Sequence, residues 1–131
     1  MTCYTLRLVN LTPHAITILS PVGVERKGTV LTASNPTVIR TIPSTGVARV
    51  TQGYPIPAPM IEDVPTTEPV RYGAVEGLPN FDGVHAYIVS LITVQAARDS
   101  GRTVADLLTP GDLVRDAHGQ PIGCLNLARH D

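Results

Sequence analysis

The sequence predicts an α+β fold, namely a predominantly antiparallel β-sheet or open barrel with one or two short helices. Apolar and β-branched residues recur with a period of two in short runs, as in Ile16 and Ile18, which is typical of strands with one buried face. Turn formers separate these runs, and the chain has 12 prolines and 11 glycines. Only residues 90–101 have helical spacing. The length of 131 residues fits a single domain, residues 1–131.

The first two predicted strands are separated by the sequence Asn10–His14, "NLTPH". Tyr4, Leu6 and Leu8 alternate with polar residues before it, and Ile16 begins the second run. Proline and asparagine favour tight turns, so this segment is interpreted as the loop of an antiparallel pair. A compatible interpretation is that polar side chains of this loop, His14 among them, lie at a functional rim of the sheet.

The next segments also predict strands joined by turns. Residues 23–35 form either a hairpin excursion or a mobile loop around a short strand. Residues 37–51 predict two strands around the turn Pro43–Gly46, because β-branched residues flank this run of turn formers. Arg49 lies in the second of these strands, where it is either a charge at the rim or a binding group.

A proline-rich arm is predicted at residues 52–69. Its five closely spaced prolines exclude a helix and favour an extended, polyproline-like path without ladder hydrogen bonds. Apolar residues such as Ile56, Met60, Ile61 and Val64 disfavour a solvated linker. The arm therefore crosses either a neighbouring subunit or the protein's own core. The first alternative makes the protein a homo-oligomer.

The C-terminal third changes from strand to helix and back. Residues 84–89 predict a buried strand, and Ser90 caps a helix of two to three turns that ends at Gly101. The alternative is a strand that continues through Val94, because β-branched residues are frequent in this segment. Thr103 and Asp106 fit a capping box, which predicts a second short helix. Residues 113–127 predict a hairpin, and the last strand is expected near the first.

Composition excludes several classes of function. The 10 basic and 11 acidic residues give no positive field for DNA or RNA. No apolar run reaches the roughly 18 residues of a membrane span, and the N-terminus does not resemble a secretory leader, so a cytoplasmic protein is expected. Cys3 and Cys124 lack a CxxC partner and are expected to be buried, reduced thiols.

Catalytic and metal-binding patterns are also missing from the sequence. The four histidines show no HExxH or HxH spacing, and no GxSxG motif presents a nucleophile. Glu62 and Asp63 are adjacent, so in an extended chain they point to opposite faces. The sequence therefore predicts neither an enzyme nor a cofactor or metal site.

A pocket for a flat anionic ligand is the binding site that the residue types favour. Phe81 is the only phenylalanine, and Arg71 precedes Tyr72 directly. Aromatic rings stack on bases, and arginines hold phosphates, so these three residues with support from Arg49 or Arg115 are the predicted nucleotide site. Core packing is the competing use for Phe81.

Several motifs resemble those of small, mostly uncharacterised proteins of phages and bacteria. These are "NLTPH", "IPSTGVARV" at residues 42–50, "GLP" at 77–79, "YIVS" at 87–90 and the hairpin 114–124 ending in "IGC". The turn at residues 117–121 departs from the family pattern, and residues 23–35 are an insertion relative to it. The motifs span most of the chain, but no site residue is carried over from the family.

The resemblance implies a function of sequestration. Small phage proteins of this type include oligomeric sponges that bind nucleotide immune signals, such as the cyclic ADP-ribose derivatives of the Thoeris system. What the resemblance implies is a non-enzymatic protein that sequesters a cyclic nucleotide or a similar signal in the host cytoplasm. The alternative is a structural or protein-interaction module without a small-molecule ligand.

Overall fold

Short strands make up most of the structure, a computed structural model that describes residues 6–53, 55–69 and 72–131, without the side chain of Gln52. Within these residues there are fourteen strands and one helix, α1 (Leu91–Asp99). The strands are β1 (Arg7–Asn10), β2 (Ile16–Leu19), β3 (Glu25–Lys27), β4 (Val30–Thr32), β5 (Val38–Ile42), β6 (Arg49–Gln52), β7 (Pro57–Ile61), β8 (Val64–Thr67), β9 (Tyr72–Glu76), β10 (His85–Ile88), β11 (Leu107–Pro110), β12 (Leu113–Arg115), β13 (Pro121–Cys124) and β14 (Leu127–Arg129).

One sheet has four strands in the order β1-β10-β11-β14. Its first three strands are parallel, and β14 is antiparallel to β11. Helix α1 lies between β10 and β11 along the chain, as a parallel connection requires. The Oγ atom of Ser90 accepts a 3.3 Å hydrogen bond from the backbone N–H of Thr93 and so caps the helix. The core on this side contains Leu11, Tyr87, Val89, Val94, Ala97 and Leu107.

A second sheet has six strands in the order β3-β4-β12-β13-β2-β5. It mixes parallel pairs, β4 with β12 and β13 with β2, with three antiparallel pairs. Leu19, Leu31, Ala33 and Val114 form its separate buried cluster. The predicted hairpin in residues 113–127 is confirmed as β12–β13, and of the two alternatives for residues 23–35 the hairpin is the one observed, as β3–β4.

Two antiparallel ribbons complete the architecture. Strands β6 and β9 form the first ribbon, which packs against α1. The second ribbon, β7–β8, lies between them in sequence and is called the arm hairpin, residues 57–67. The expectation of a β-rich α+β fold with a helix of two to three turns is confirmed. The sheets of the described residues remain separate and do not close into a barrel.

Three predicted pairings differ from the structure. The first two strands do not form a hairpin, because β1 pairs in parallel with β10 whereas β2 pairs with β5 and β13 in the other sheet. Strands β5 and β6 exist on either side of the predicted turn at residues 43–46, but they also belong to different sheets. The last predicted strand, residues 122–127, overlaps β13, which pairs with β12 and β2 and not with β1. The strand after it, β14, shares a sheet with β1 but lies at the opposite edge.

The predicted second helix is wrong, because residues 103–106 form turns that lead into β11. The carboxylate of Asp106 is fully buried and accepts hydrogen bonds of 2.8 and 2.9 Å from the Arg102 guanidinium. The same guanidinium donates to the carbonyl of Pro79 at 2.7 Å. Asp106 therefore joins the end of α1 to the loop before β10 and does not cap a helix that starts at Thr103.

The prediction of an extended arm without ladder hydrogen bonds is also wrong, since β7 and β8 pair with each other. Pro57 and Pro59 alternate in β7, so both missing N–H groups fall on the same side of that strand. Alternate N–H groups of an edge strand point to solvent, and a proline there leaves the ladder intact. The spacing of two is thus compatible with a hairpin.

The side chain of Asn10 connects the two large sheets. It is fully buried at the end of β1, and its Nδ2 donates to the carbonyls of His14 at 2.8 Å and Ile42 at 3.0 Å. Its Oδ1 accepts from the backbone N–H of Thr12 at 2.9 Å and from the Thr12 hydroxyl at 2.6 Å. This Asx-type turn sends the chain from one sheet into the other.

We expect Asn10→Ala to lower the free energy of unfolding by about 2–4 kcal/mol, because buried carbonyls lose their donors. Asn10→Asp is the matched control, since it keeps one acceptor oxygen but sets a second oxygen against the carbonyls of His14 and Ile42. It should destabilise the protein at neutral pH. Urea denaturation measures both, and a loss below about 1 kcal/mol in Asn10→Ala would contradict this role.

Candidate functional site

His14 lies at a cavity where two of the sequence motifs meet. It is exposed and lines a cavity of about 400 Å³ together with Ile122, Cys124 and Pro110. Cys124 is a buried free thiol, as expected, and burial raises its pKa; Cys3 lies outside the described residues. A protonated thiol and apolar walls favour packing over binding of an anion.

Two other predicted site residues lie on the ribbon β6–β9. Arg49 is exposed and stands opposite Glu76 in the register, and Tyr72 stands opposite Gln52. An exposed arginine that faces a glutamate across a ribbon favours the first alternative for Arg49, a charge at the rim of the sheet. Arg71 lies outside the described residues.

Phe81 lines a cavity of about 440 Å³. This cavity is larger than the one beside His14 and the one beside Arg115. Its side chain is 52% exposed, so it does not serve as core packing. Leu8, Ala86 and Leu108 provide an apolar wall from three neighbouring strands. Arg129 also lines the cavity, and its guanidinium donates to the Asp131 carboxylate at 3.0 and 3.2 Å.

Arg115 lines a different surface, which we call the basic groove. It is a depression of about 280 Å³ formed by residues of β3, β4 and β12 and the two turns beside them: Arg26, Thr29, Val30, Leu31, Asp112, Leu113 and Arg115. The guanidinium of Arg115 donates to the carbonyl of Gly119 at 2.9 Å, which fixes its position. Val30 and Leu113 are exposed beside it.

The structure therefore distributes the predicted nucleotide site over separate places. His14, Phe81 and Arg115 line three different cavities, and Arg49 and Tyr72 lie on the ribbon beside α1. Phe81 shares its cavity with Arg129, an arginine that the sequence analysis did not select. The pairing of an aromatic ring with a guanidinium that the described residues bring to one cavity is thus Phe81 with Arg129, which differs from the predicted combinations of Phe81 with Arg71, Arg49 or Arg115.

Asp82, in the turn before β10, pairs with His85, the first residue of that strand, and the sequence analysis did not select this pair. The Asp82 carboxylate accepts from the backbone N–H groups of Val84 at 2.8 Å and His85 at 2.9 Å, and it lies 2.7 Å from Nδ1 of His85. The hydrogen bond from the His85 side chain, followed by those from the two backbone N–H groups, lowers the pKa of Asp82 to about 2.

This pair resembles part of a catalytic triad, but its contacts describe a turn. No side chain among the described residues is hydrogen bonded to Nε2 of His85, and the ring stacks on Tyr87 with 6.1 Å between the centroids. A triad needs a nucleophile at the free nitrogen of the histidine. Burial raises the pKa of Tyr87, so this phenol stays protonated.

The described part of the chain also contains no cluster of three or more histidine, cysteine, aspartate or glutamate side chains that could hold a metal ion. None of its helices is long and apolar enough to cross a membrane.

The arm hairpin is the most exposed apolar feature of the structure. Of the described residues 55–69, all except Ala58 and Thr66 are exposed. Ile56, Met60, Ile61 and Val64 retain between 55% and 67% of their accessible surface. The strands β7 and β8 pack mainly on each other, so the segment does not cover the protein's own core.

A two-residue turn at Glu62 and Asp63 closes the arm hairpin. Both residues have positive φ, 49° and 63°, as a type I′ turn requires. Glycine, asparagine and aspartate adopt this conformation most easily, whereas another residue such as glutamate raises the free energy by about 1 kcal/mol. Glu62 therefore occupies the tip of the hairpin at a conformational cost, and Asp63 suits its position.

Comparison of the chain with protein-family models, with curated proteins and with solved structures found no match.

We expect the Asp82 carboxylate to titrate near pH 2 and its pKa to rise in His85→Ala, since the largest cause of the shift is removed. Because the folded-state pKa is lowered, this group stabilises the fold above pH 3.8, and that contribution disappears as the pH falls from about 4 to 2. Carboxyl-carbon NMR measures the titration. An Asp82 midpoint of 3.8 in the wild type would contradict the pair.

Proposed function

We propose that this protein is a non-enzymatic interaction module that assembles with further copies of itself through the arm hairpin. The observation that carries the proposal is a set of four exposed apolar side chains, Ile56 just before the arm hairpin and Met60, Ile61 and Val64 within it. A concentration of exposed apolar side chains on one short segment of a small protein is typical of an interaction site.

The free energy gained by burying these four side chains can be compared with the cost of association. Complete burial of such a side chain contributes about 1.5–3 kcal/mol, so covering four that are partly exposed contributes on the order of 5 kcal/mol. Association itself costs roughly 4–15 kcal/mol of lost translational and rotational freedom. The apolar contact is therefore necessary for assembly and needs a second contribution to give a stable complex.

The hairpin conformation reduces the conformational entropy that the segment loses when it binds. Its ladder fixes the backbone between Pro57 and Thr67, and the Thr66 hydroxyl donates to the carbonyl of Pro59 at 2.8 Å. A segment that is ordered before binding loses less conformational entropy when it binds. The rigid prolines of β7 act in the same direction.

A second candidate function is the sequestration of a nucleotide-derived immune signal, such as a cyclic nucleotide or a cyclic ADP-ribose-like molecule. The cavity beside Phe81 favours it, because an exposed aromatic ring, an apolar wall and Arg129 line the same space of about 440 Å³. Rings and guanidinium groups stack on bases. The Asp131 carboxylate beside Arg129 disfavours a phosphate at that end of the cavity.

For the assembly, we expect the wild-type protein to be oligomeric at micromolar concentration in light scattering. Ile61→Thr combined with Val64→Thr should raise the dissociation constant at least tenfold, because the variant keeps β-branched side chains but loses apolar surface. Val22→Thr, at an exposed valine outside the hairpin, is the matched control and should leave the mass unchanged. A monomeric wild type at this concentration rejects the proposal.

For the sequestration, mass spectrometry of small molecules released by heating should detect an unmodified nucleotide. Phe81→Ala should then weaken rebinding about five- to hundredfold, as removal of a stacking ring does, whereas Tyr72→Ala on the ribbon should not. The opposite order of the two effects would place the ligand at the ribbon, and the absence of any nucleotide on the wild type would exclude this function.

A further inference from the structure

The register of the arm hairpin gives its two faces different compositions. Ala58 pairs with Thr66 and Ile61 with Val64, and the side chains of paired residues share a face. Strand β7 has one extra residue between these two pairs, a bulge, which returns Ile61 to the face of Ala58. Ile56, two residues before Ala58, lies on the same face. We call this the apolar face of the hairpin.

The opposite face of the hairpin carries the prolines. Successive side chains of a strand point to opposite faces, so Pro57, Pro59 and Pro65 lie away from the apolar face. Met60 directly precedes Ile61 and lies on the proline side as well. The apolar face therefore holds three of the four exposed apolar side chains of the segment.

The outer edges of the hairpin do not accept a further strand. The N–H of Glu68 donates to the carbonyl of Ile56 at 2.8 Å, and Ala58 pairs with Thr66. Bonded pairs alternate with non-bonded pairs in an antiparallel ladder, so the N–H positions of residues 57 and 65 point outward. Both residues are prolines, which have no N–H to donate. A partner therefore contacts a face of the hairpin and not its edge.

The four-stranded sheet has an apolar face that lacks a covering layer. Tyr87 and Leu107 belong to the core under α1, so their neighbours Ala86 and Leu108 point to the opposite face and line the cavity beside Phe81. The other residues that line this cavity belong to the sheet or to the segments directly beside it. Parallel strands are normally covered on both faces. In the described part of the chain, no second layer covers the sheet at this cavity.

We propose that the apolar face of the arm hairpin packs into the cavity beside Phe81 in a second copy of this chain. The proposal rests on the proposed assembly function and names its acceptor surface. Ile61 and Val64 contact Leu8, Leu108 and the ring of Phe81. The hairpin then supplies the missing second layer of the four-stranded sheet.

The positions of the hairpin and the cavity place this contact between two copies. The ribbon β6–β9, from which the hairpin extends, packs against α1. Helix α1 covers one face of the four-stranded sheet, and the cavity opens on the other face. The base of the hairpin and the cavity thus lie on opposite sides of the sheet. A hairpin therefore meets this cavity in another copy and not in its own.

The cavity supplies the second contribution that assembly needs. The exposed aliphatic side chains of one hairpin are too few to offset the loss of translational and rotational freedom. Packing into the cavity also removes its apolar wall and Phe81, which is 52% exposed, from water. The two charged residues that line the cavity, Arg129 and Asp131, pair with each other. The contact therefore depends on apolar area and not on charge.

Two pairs of matched variants of the full chain, compared by sedimentation equilibrium, test the contact. Ile61→Gln should raise the dissociation constant about tenfold or more, whereas Met60→Gln should change it less than about twofold, although the two side chains are 67% and 66% exposed. Phe81→Ala should also weaken association about tenfold. Leu91→Ala should not, because Leu91 is similarly exposed, at 54%, but lies at the start of α1.

A double-mutant cycle tests whether hairpin and cavity contact each other. Ile61→Gln combined with Phe81→Ala should weaken association by clearly less than the product of the two single effects, because both changes remove the same contact. Urea denaturation checks that each variant keeps its fold. If Phe81→Ala lowers the urea midpoint, Ala105→Gln replaces it, since Ala105 is an exposed residue of the same cavity.

Three outcomes would overturn the inference. If Met60→Gln weakens association as much as Ile61→Gln, the apolar face is not the contact surface. If changes in the cavity leave association unchanged while Ile61→Gln weakens it, the hairpin docks elsewhere. If the effects of Ile61→Gln and Phe81→Ala multiply in full, the two residues act at separate places. In each of these cases the proposed assembly function survives, whereas a monomeric wild type removes both.

Discussion

The buried amide of Asn10 is the interaction on which the arrangement of the two large sheets depends. It donates hydrogen bonds to one carbonyl of the following loop and to one of β5, and Asn10 is also the last residue of β1 in the four-stranded sheet. The local bond to Thr12 alone would explain a turn. The bond to Ile42, 32 residues away, makes the same side chain a tertiary contact between elements of different sheets. A buried polar group without partners is costly, so this amide stabilises the junction between the two sheets.

The sequence patterns predicted the local elements well and their partners poorly. Alternation at Ile16 and Ile18 identified a strand, and the serine and glycine at the ends of α1 identified the helix, because such patterns depend on neighbours a few residues away. Partner choice depends on contacts across the chain. The capping-box pattern at Thr103 and Asp106 predicted a helix, but the guanidinium of Arg102 binds the buried carboxylate that the cap requires.

For the candidate site, too, the residue types could be predicted from the sequence but their contacts could not. An aromatic ring and a group of arginines can be recognised in a sequence, but their meeting in one cavity cannot, and Arg129 approaches Phe81 only through the sheet order β1-β10-β11-β14. The composition of residues 52–69 left open whether this segment covers the protein's own core or another subunit, and only the structure shows that β7 and β8 pack mainly on each other. Whether the prolines allow pairing depends on their alternate spacing in β7, and this spacing could have been recognised in the sequence.

The register of the ribbon β6–β9 has a consequence for how this protein can change. Arg49 and Glu76 face each other across the ribbon, and the chain between its two strands leaves and returns at the same place. The arm hairpin is therefore a closed excursion whose ends are held by other parts of the molecule. Substitutions, insertions and even exchange of the whole hairpin affect the core little. Changes of sequence in the hairpin and changes in the core can thus accumulate independently in one short chain.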